Sequence, residues 1–231
     1  MFRISNFEFR IFPSRWGRET ITEKISLPKL VDSTLNVSMN LEKNVSMNLE
    51  KILYAPFGNN IIIGSHIKEQ LKFLKEIVPS EFKGKKMYDL GCGDGKITKM
   101  LKDIFQAKEV LGFDVNPLLV KKARKRGIKA EVLDLERWAE QEESQKGELA
   151  IIWGVLHHLK NPKKVLKKIK NNFQYLFLRE PLLGKKKPLF ELGKPFEKEK
   201  FKKDLDEILK NYKDYEYKGA IFVFWQKSDN C

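Results

Sequence analysis

The sequence predicts an α/β protein with a doubly wound, mostly parallel seven-stranded sheet and helices on both faces. Between residues 65 and 210, short apolar runs alternate with amphipathic stretches through short links, an order typical of parallel strands joined by helices. The alternation ends in two strands, residues 212–217 and 220–225, which only Lys218 and Gly219 separate. Because so short a turn makes the pair antiparallel, we expect the last strand to run against its neighbours.

Apolar spacing and helix-ending residues define the first elements. A helix is expected from residue 65 until Pro79 ends it, and a short apolar strand follows over residues 87–90. The next helix carries apolar residues at positions i, i+3, i+4, i+7 and i+8: Ile97, Met100, Leu101, Ile104 and Phe105. This spacing places them on one face, which we expect to lie on the sheet.

The middle of the chain repeats the unit of strand and helix. The strand predicted over residues 109–115 is followed by Asn116 and Pro117, a helix cap and a first-turn proline, and then by a helix that runs to Gly127. The remaining predicted elements are strands over 130–135, 149–153 and 173–178, a lysine-rich helix from Asn161-Pro162, and a helix with Phe201, Leu205, Ile208 and Leu209 on one face. These elements make residues 65–231 the main domain.

Residues 1–64 are predicted to form an N-terminal cap that contributes to substrate binding. Aromatic residues alternate with arginines over residues 2–18, a pattern that either stacks nucleobases or packs as an extended segment on the main domain. The second interpretation is favoured. Residues 36–43 recur without change as residues 44–51. Apolar and polar residues alternate in both copies, so the repeat forms either paired strands or a lengthened surface loop.

Composition limits the functional classes. The chain has 231 residues, 42% hydrophobic and 33% charged, and no apolar run approaches the roughly 20 residues of a membrane span. The N-terminus lacks a secretory signal, so a cytoplasmic location is expected. The formal charge of +14 favours polyanionic partners. Much of the excess lies between Lys160 and Lys203, which forms either a basic face for RNA or a solvated helix surface.

A glycine-rich loop follows the first strand. Gly91, Gly93 and Gly95 occupy alternate positions directly after Asp89-Leu90, and glycines allow a ligand to approach the backbone closely. The nicotinamide fingerprint G-x-G-x-x-G fails because Lys96 stands three positions after Gly93, and the phosphate loop G-x-x-x-x-G-K-[ST] is not met either. The cysteines are Cys92 in this loop and Cys231 at the last position, which cannot by themselves form a disulfide framework or a metal site.

The stretch Met87–Thr98 resembles the first motif of the class I S-adenosylmethionine-dependent methyltransferases. The resemblance covers roughly residues 65–227 and implies the Rossmann-like methyltransferase fold, with S-adenosyl-L-methionine as cofactor. In that family an acidic residue two positions before the first glycine helps to hold the methionine amino group, a role that the resemblance assigns to Asp89. It also assigns cofactor contacts to the loop residues Gly91, Cys92 and Gly93.

Further cofactor contacts are expected where the predicted strands end, because a ligand of an open parallel sheet lies outside those ends. Asp114, followed by Val115, matches the family's acidic residue that accepts both ribose hydroxyls. Asp134 and Leu135, placed at the end of the third strand, match the acceptor for the adenine amino group and the backbone donor to the ring. Trp153 and Gly154 end the fourth strand and complete the predicted cofactor residues: Asp89, Gly91, Cys92, Gly93, Asp114, Val115, Asp134, Leu135, Trp153 and Gly154.

The residues after the fourth strand are expected to line the methyl-transfer site. Trp153–Leu159 resembles the His-His-Leu group of the family, which acts on diverse substrates. It lacks the Asn-Pro-Pro-aromatic signature of enzymes that methylate exocyclic base amines and the cysteine needed for cytosine C5. Either His157 or His158 is expected to take a proton from the acceptor, with packing and loop shaping as the alternative for each. Glu180, at the end of the fifth strand, is expected to orient the substrate.

The predicted function is methyl transfer to a small molecule, a lipid or a sugar by in-line displacement. One alternative is an RNA methyltransferase that uses the basic residues 160–203. The other is a non-catalytic subunit that binds the cofactor and activates a partner.

Overall fold

The computed structural model describes residues 65–142, 146–184 and 194–228. Predictions about the N-terminal cap and the tandem repeat lie outside these residues. The helices are α1 (Ser65–Ile77), α2 (Lys96–Ile104), α3 (Pro117–Lys125), α4 (Leu135–Trp138), α5 (Pro162–Asn172) and α6 (Lys198–Ile208). The strands are β1 (Lys86–Leu90), β2 (Glu109–Asp114), β3 (Lys129–Val132), β4 (Gly147–Trp153), β5 (Phe173–Pro181), β6 (Tyr212–Tyr217) and β7 (Ala220–Gln226).

The seven strands form one sheet in the order β3-β2-β1-β4-β5-β7-β6. The pairs from β3 to β5 are parallel, whereas β7 is antiparallel to both β5 and β6. The predicted fold class is therefore confirmed, including the antiparallel last strand. The strand order reverses beside β1, where β4 lies on one side and β2 on the other, and ligands of open α/β sheets bind outside such a point.

Two apolar cores cover the two faces of the sheet. Helices α1, α2 and α3 bury Leu74, Leu101 and Val120 on one face. Helices α5 and α6 bury Ile169 and Leu205 on the other. In the predicted helix over residues 97–105, Leu101 and Phe105 are fully buried as expected, whereas Met100, which was predicted on the same face, is 42% exposed. Within the described residues, no helix is long and apolar enough to cross a membrane.

Local signals place the helix starts correctly and one strand end incorrectly. Asn116 caps α3 as predicted, and its side chain accepts hydrogen bonds from the backbone of Leu118 and Leu119. The third strand was predicted to reach Leu135, but it ends at Val132. The prediction was wrong because Asp134 accepts a hydrogen bond from the backbone of Glu136 and thereby starts the short helix α4.

Candidate active site

The glycine loop between β1 and α2 folds back onto the end of β2. The backbone N–H groups of Gly91 and Cys92 both donate to the carbonyl of Phe113, at 2.7 and 2.9 Å. Gly91, Gly93 and Gly95 all have positive φ angles, of 105°, 53° and 81°. Side chains rarely tolerate this region of backbone conformation, so the spacing of the three glycines is a requirement of the turn itself.

Two of these glycines contact the protein instead of leaving room for a ligand. A Cβ atom at Gly91 would lie 2.3 Å from Cγ2 of Val155, and one at Gly95 would lie 3.1 Å from Ala123 of α3. At these two positions the missing Cβ was expected to admit a ligand. It instead allows close packing within the protein. The contact between Gly91 and Val155 joins the glycine loop to the residues that follow β4.

Asp114 ends β2 and binds the backbone of the glycine loop and of the turn that follows β2. Its Oδ2 accepts a hydrogen bond from the N–H of Gly93 at 2.9 Å, and its Oδ1 accepts one from Asn116 at 2.8 Å. Burial raises the pKa of the carboxyl, and these two hydrogen bonds oppose the rise. Because each carboxylate oxygen accepts about two hydrogen bonds, the group keeps one acceptor position on each oxygen, as the ribose assignment requires.

Asp89, at the centre of the sheet, carries an acceptor atom without a partner. The residue is 2% exposed, and its Oδ1 has no hydrogen bond within the described part of the chain. Burial raises the pKa of Asp89 to about 7, a rise that a hydrogen bond from Thr98 opposes and the charge of Asp114 strengthens. Buried polar atoms are normally paired, so this oxygen fits the ammonium group of a methionine-derived ligand.

The raised pKa of Asp89 predicts how stability depends on pH. The folded value of about 7 lies above the value of about 3.9 for an unfolded Asp, so the folded protein holds more protons between these values. The contribution of Asp89 to the free energy of unfolding is therefore fully present below about pH 4 and is lost as pH rises through 7, by up to roughly 4 kcal/mol. Urea unfolding at pH 5 and pH 7.5 measures this loss.

Asp89→Asn is the matched control for this pH dependence, because the amide does not titrate. We expect the variant to lose most of the difference in unfolding free energy between the two pH values. If wild type and variant lose stability equally, another group causes the dependence and the environment described for Asp89 is wrong.

Arg126 holds the glycine loop from the C-terminal end of α3. Its Nη1 donates to the carbonyl of Asp94 at 2.9 Å, and its Nη2 lies 3.2 Å from the Asp94 carboxylate. That carboxylate also accepts a hydrogen bond from the backbone of Lys96, at the start of α2. Neither residue was predicted from the sequence, although an acidic residue inside a glycine loop is a signal that could have identified Asp94.

Glu180 fixes the loop that follows β4. The residue is fully buried. Its Oε1 accepts hydrogen bonds from the N–H groups of Val155 and Leu156, both at 2.8 Å, and its Oε2 from that of His157 at 3.4 Å. The same Oε2 lies 2.7 Å from Nδ1 of His157. With these donors occupying both oxygens, Glu180 acts as a positioning residue in this structure.

The two histidines have different surroundings. The side chain of His157 is only 4% exposed and is held by Glu180. His158 is an exposed residue whose ring lies 3.9 Å from that of His157, measured between centroids. Desolvation of this ring and the neighbouring His157 lower the pKa of His158 to about 4. His158 is therefore neutral at pH 7, and it is the histidine that can meet a substrate.

The remaining predicted site residues lie at the same edge of the sheet. Gly154 has a φ angle of 67°, and its N–H donates to the carbonyl of Arg179 at 2.7 Å. The guanidinium of Arg179 stacks over Trp153, 5.5 Å from the ring centroid. Asp134 caps α4 on the far side of β2, and the side chain of Leu135 is buried. Val115 follows β2 directly and is half-buried.

A family model described as a methyltransferase domain matches residues 88–173. This part of the chain is therefore similar to a methyltransferase domain. The matched segment includes the end of β1, the glycine loop, Asp114, Asp134 and the loop with both histidines. No curated protein sequence matches the chain.

Solved structures of methyltransferases are similar to this chain at the level of the fold. An O-methyltransferase family protein from Burkholderia thailandensis has a TM-score of 0.55 at 11% identity, over 71% of this chain and 56% of its own. An S-adenosylmethionine-dependent methyltransferase from Mesorhizobium loti has 0.51 at 13%, over 68% and 96%. Human N-acetylserotonin methyltransferase in complex with S-adenosylmethionine has 0.52 at 18%, over 67% and 50%.

These matches confirm the recognition of a class I S-adenosylmethionine-dependent methyltransferase fold. The chain spans about half the length of the Burkholderia and human proteins, 56% and 50%. The roles of the individual site residues remain predictions.

Proposed function

We propose that this protein transfers a methyl group from S-adenosyl-L-methionine to a nucleophile held beside the 154–158 loop. The observation that carries the proposal is the buried, unpartnered Oδ1 of Asp89, two residues before a glycine loop that Asp114 and Arg126 hold in place. A buried acceptor at the point where the strand order reverses suits a ligand with an ammonium group. The cofactor, when bound, supplies an activated sulfonium methyl group.

The chain provides separate groups for each part of that cofactor. Asp89 binds the methionine ammonium group, Asp114 accepts the ribose hydroxyls, and Gly91, Cys92, Gly93 and Val115 present backbone along the cleft. The adenine is assigned to Asp134 and Leu135, and Trp153 and Gly154 border the methyl group, as the family resemblance implies. Alignment of nucleophile, carbon and sulfur in a dry pocket contributes up to roughly 7–11 kcal/mol to catalysis.

His158 is the residue that we assign to contact the acceptor. It is neutral at pH 7 because its pKa lies at about 4, so a ring nitrogen is free to accept a hydrogen bond from the attacking hydroxyl or amine. So low a pKa makes it a weak base, and orientation of the nucleophile is its main contribution. His157 and Glu180 serve this arrangement by fixing the loop.

A small molecule, a lipid or a sugar is the first acceptor class that we propose. The names of two structural neighbours, an O-methyltransferase family protein and N-acetylserotonin methyltransferase, support it by analogy. The alternative RNA face over residues 160–203 loses support, since Lys163, Lys164 and Lys167 of α5 form ion pairs with carboxylates. A cytoplasmic location is part of the proposal.

Transfer of label from methyl-labelled S-adenosylmethionine tests the activity. The purified chain, incubated with the cofactor and a cell extract, is expected to label organic-soluble material or RNA. His158→Asn should slow transfer about tenfold, less than the roughly 10²–10⁴-fold typical of general acid–base groups because its main role is orientation, with cofactor affinity unchanged. If the variant transfers methyl groups at the wild-type rate, His158 does not contact the acceptor.

The non-catalytic alternative gives a different result in this assay. A cofactor-binding partner subunit would bind S-adenosylmethionine in calorimetry and yet transfer no label to any fraction when purified alone. Asp89→Asn is the control for cofactor binding, because it is expected to weaken that binding whether or not the chain is catalytic.

A further inference from the structure

Two segments of the chain have the same charge in sequence but different surroundings in the structure. Residues 115–130 and residues 160–172 each contain six basic residues and no acidic residue. The first segment includes α3, which lies on the face of the sheet covered by α1 and α2. The second includes α5, on the opposite face. Sequence counting cannot separate them, whereas the structure shows which lysines have partners.

The lysines of α5 are largely neutralised by neighbouring carboxylates. Lys163 lies 2.7 Å from Asp204 of α6 and 3.1 Å from Glu207. Lys164 lies 3.2 Å from Glu140 and Lys167 lies 3.6 Å from Glu207. A polyanion at this face would therefore have to displace carboxylates that already pair with the lysines.

The exposed face of α3 keeps its positive charge. Lys121, Lys122 and Lys125 are exposed, and within the described residues none of their three ammonium groups has an ion pair or hydrogen bond. Lys125 lies four positions after Lys121 and three after Lys122, so its side chain is a neighbour of both on the helix surface. Lys122 and Lys125 also border two shallow depressions, of about 430 and 300 Å³. Three unpaired cations beside adjoining concave surfaces suit successive phosphates of one chain.

This lysine face lies next to the cofactor residues. The larger depression is bordered by Asp94 of the glycine loop together with Arg126. The smaller is bordered by Asn116, two residues after Asp114. A long anionic substrate bound along α3 would therefore run beside the crevice in which we place the cofactor.

We propose that the face formed by Lys121, Lys122 and Lys125 binds the phosphate backbone of RNA. Binding of RNA to this face does not depend on the proposed methyl transfer. Methylation of the bound RNA would rest on the proposed function, with RNA in place of the small-molecule acceptor. The proposed RNA-binding face therefore lies on α3 and not on residues 160–203.

The surroundings of α3 favour RNA over an anionic membrane. A helix that docks on a membrane buries a broad apolar face in it, but Leu119, Val120 and Ala123 already pack in the protein. Leu118 is the one large apolar residue that α3 exposes, at 58%. The proposal commits to RNA because RNA offers ribose 2′-hydroxyls as hydrogen-bonding groups in addition to its phosphates.

Two triple variants of the full chain test the inference. The first changes Lys121, Lys122 and Lys125 to Gln, and the second changes Lys163, Lys164 and Lys167 to Gln, so both lose three positive charges. Binding to a 30-nucleotide single-stranded RNA is measured by fluorescence anisotropy between 50 and 300 mM salt. The α3 variant should bind about tenfold more weakly at 100 mM salt, and the slope of log K against log salt should fall by about 2. The α5 variant should bind like the wild type.

Each other outcome overturns the inference. Equal losses in both variants would indicate a general effect of net charge, and no RNA binding by the wild type would leave the face without its partner. Binding to vesicles with 30% phosphatidylserine, but not to RNA, would assign the lysines to a membrane surface. Calorimetry with S-adenosylmethionine on the same samples keeps the two proposals separate. Absent cofactor binding contradicts the proposed function alone, and absent RNA binding contradicts this inference alone.

Discussion

Replacement of Glu180 by alanine is expected to lower the free energy of unfolding by about 3–5 kcal/mol and to abolish methyl transfer. The carboxylate accepts hydrogen bonds from the backbone of Val155, Leu156 and His157 and pairs with the His157 ring. Each buried donor left without an acceptor costs about 1–3 kcal/mol. The 154–158 loop would lose its anchor, and with it the position of His158. Urea unfolding and the methyl-transfer assay measure the two effects.

Glu180→Gln separates the role of the loop from overall folding. The amide oxygen can still accept from the backbone of Val155 and Leu156, but the amide nitrogen cannot accept from His157. We expect this variant to stay folded and to bind S-adenosylmethionine with nearly wild-type affinity, while kcat falls at least tenfold. Glu216→Ala, at an exposed position of β6, is the control and should change stability by less than about 1 kcal/mol. Full activity of Glu180→Gln would show that the pairing with His157 has no role in catalysis.

Features encoded by neighbouring residues were predicted correctly from the sequence. The turn with Gly91, Gly93 and Gly95 needs only the spacing of its glycines, and the cap at Asn116 needs only the proline and the helix that follow it. The antiparallel hairpin follows from the two-residue link between β6 and β7. A local signal was overlooked at Asp134, which was assigned to a strand end although it caps the next helix.

Contacts between residues that are distant in the chain could not be predicted from the sequence. Val155 packs against Gly91 across 64 positions, and Glu180 pairs with His157 across 23. Nothing in the sequence around either residue specifies its partner, because the sheet order and register bring them together. The charge of the two lysine-rich segments is a further example. Their composition is alike, and only the packing of α5 against α6 decides that Lys163 is neutralised.

Asp89→Asn and Asp114→Ala should affect different parts of the cofactor. Asp89 offers a buried, unpartnered oxygen that we assign to the ammonium group, so its loss should weaken S-adenosylmethionine binding about 10- to 100-fold, the value of one hydrogen bond to a charged group. Asp114 uses both oxygens to hold Gly93 and Asn116 and is assigned to the ribose. Asp114→Ala should weaken S-adenosylmethionine binding about 100-fold or more, because two backbone donors and two hydroxyl contacts lose their acceptor.

A truncated cofactor distinguishes these two roles. 5′-Methylthioadenosine keeps the adenine and the ribose but lacks the amino acid group, so calorimetry should find that Asp89→Asn binds it as well as the wild type does. Asp114→Ala should bind both ligands poorly. The selective loss in Asp89→Asn ties this carboxylate to the amino acid end of the ligand, because damage to the whole cleft would weaken both ligands. If Asp89→Asn weakens the binding of both ligands equally, the assignment of the ammonium group to Asp89 is wrong. The proposed function then loses its main support.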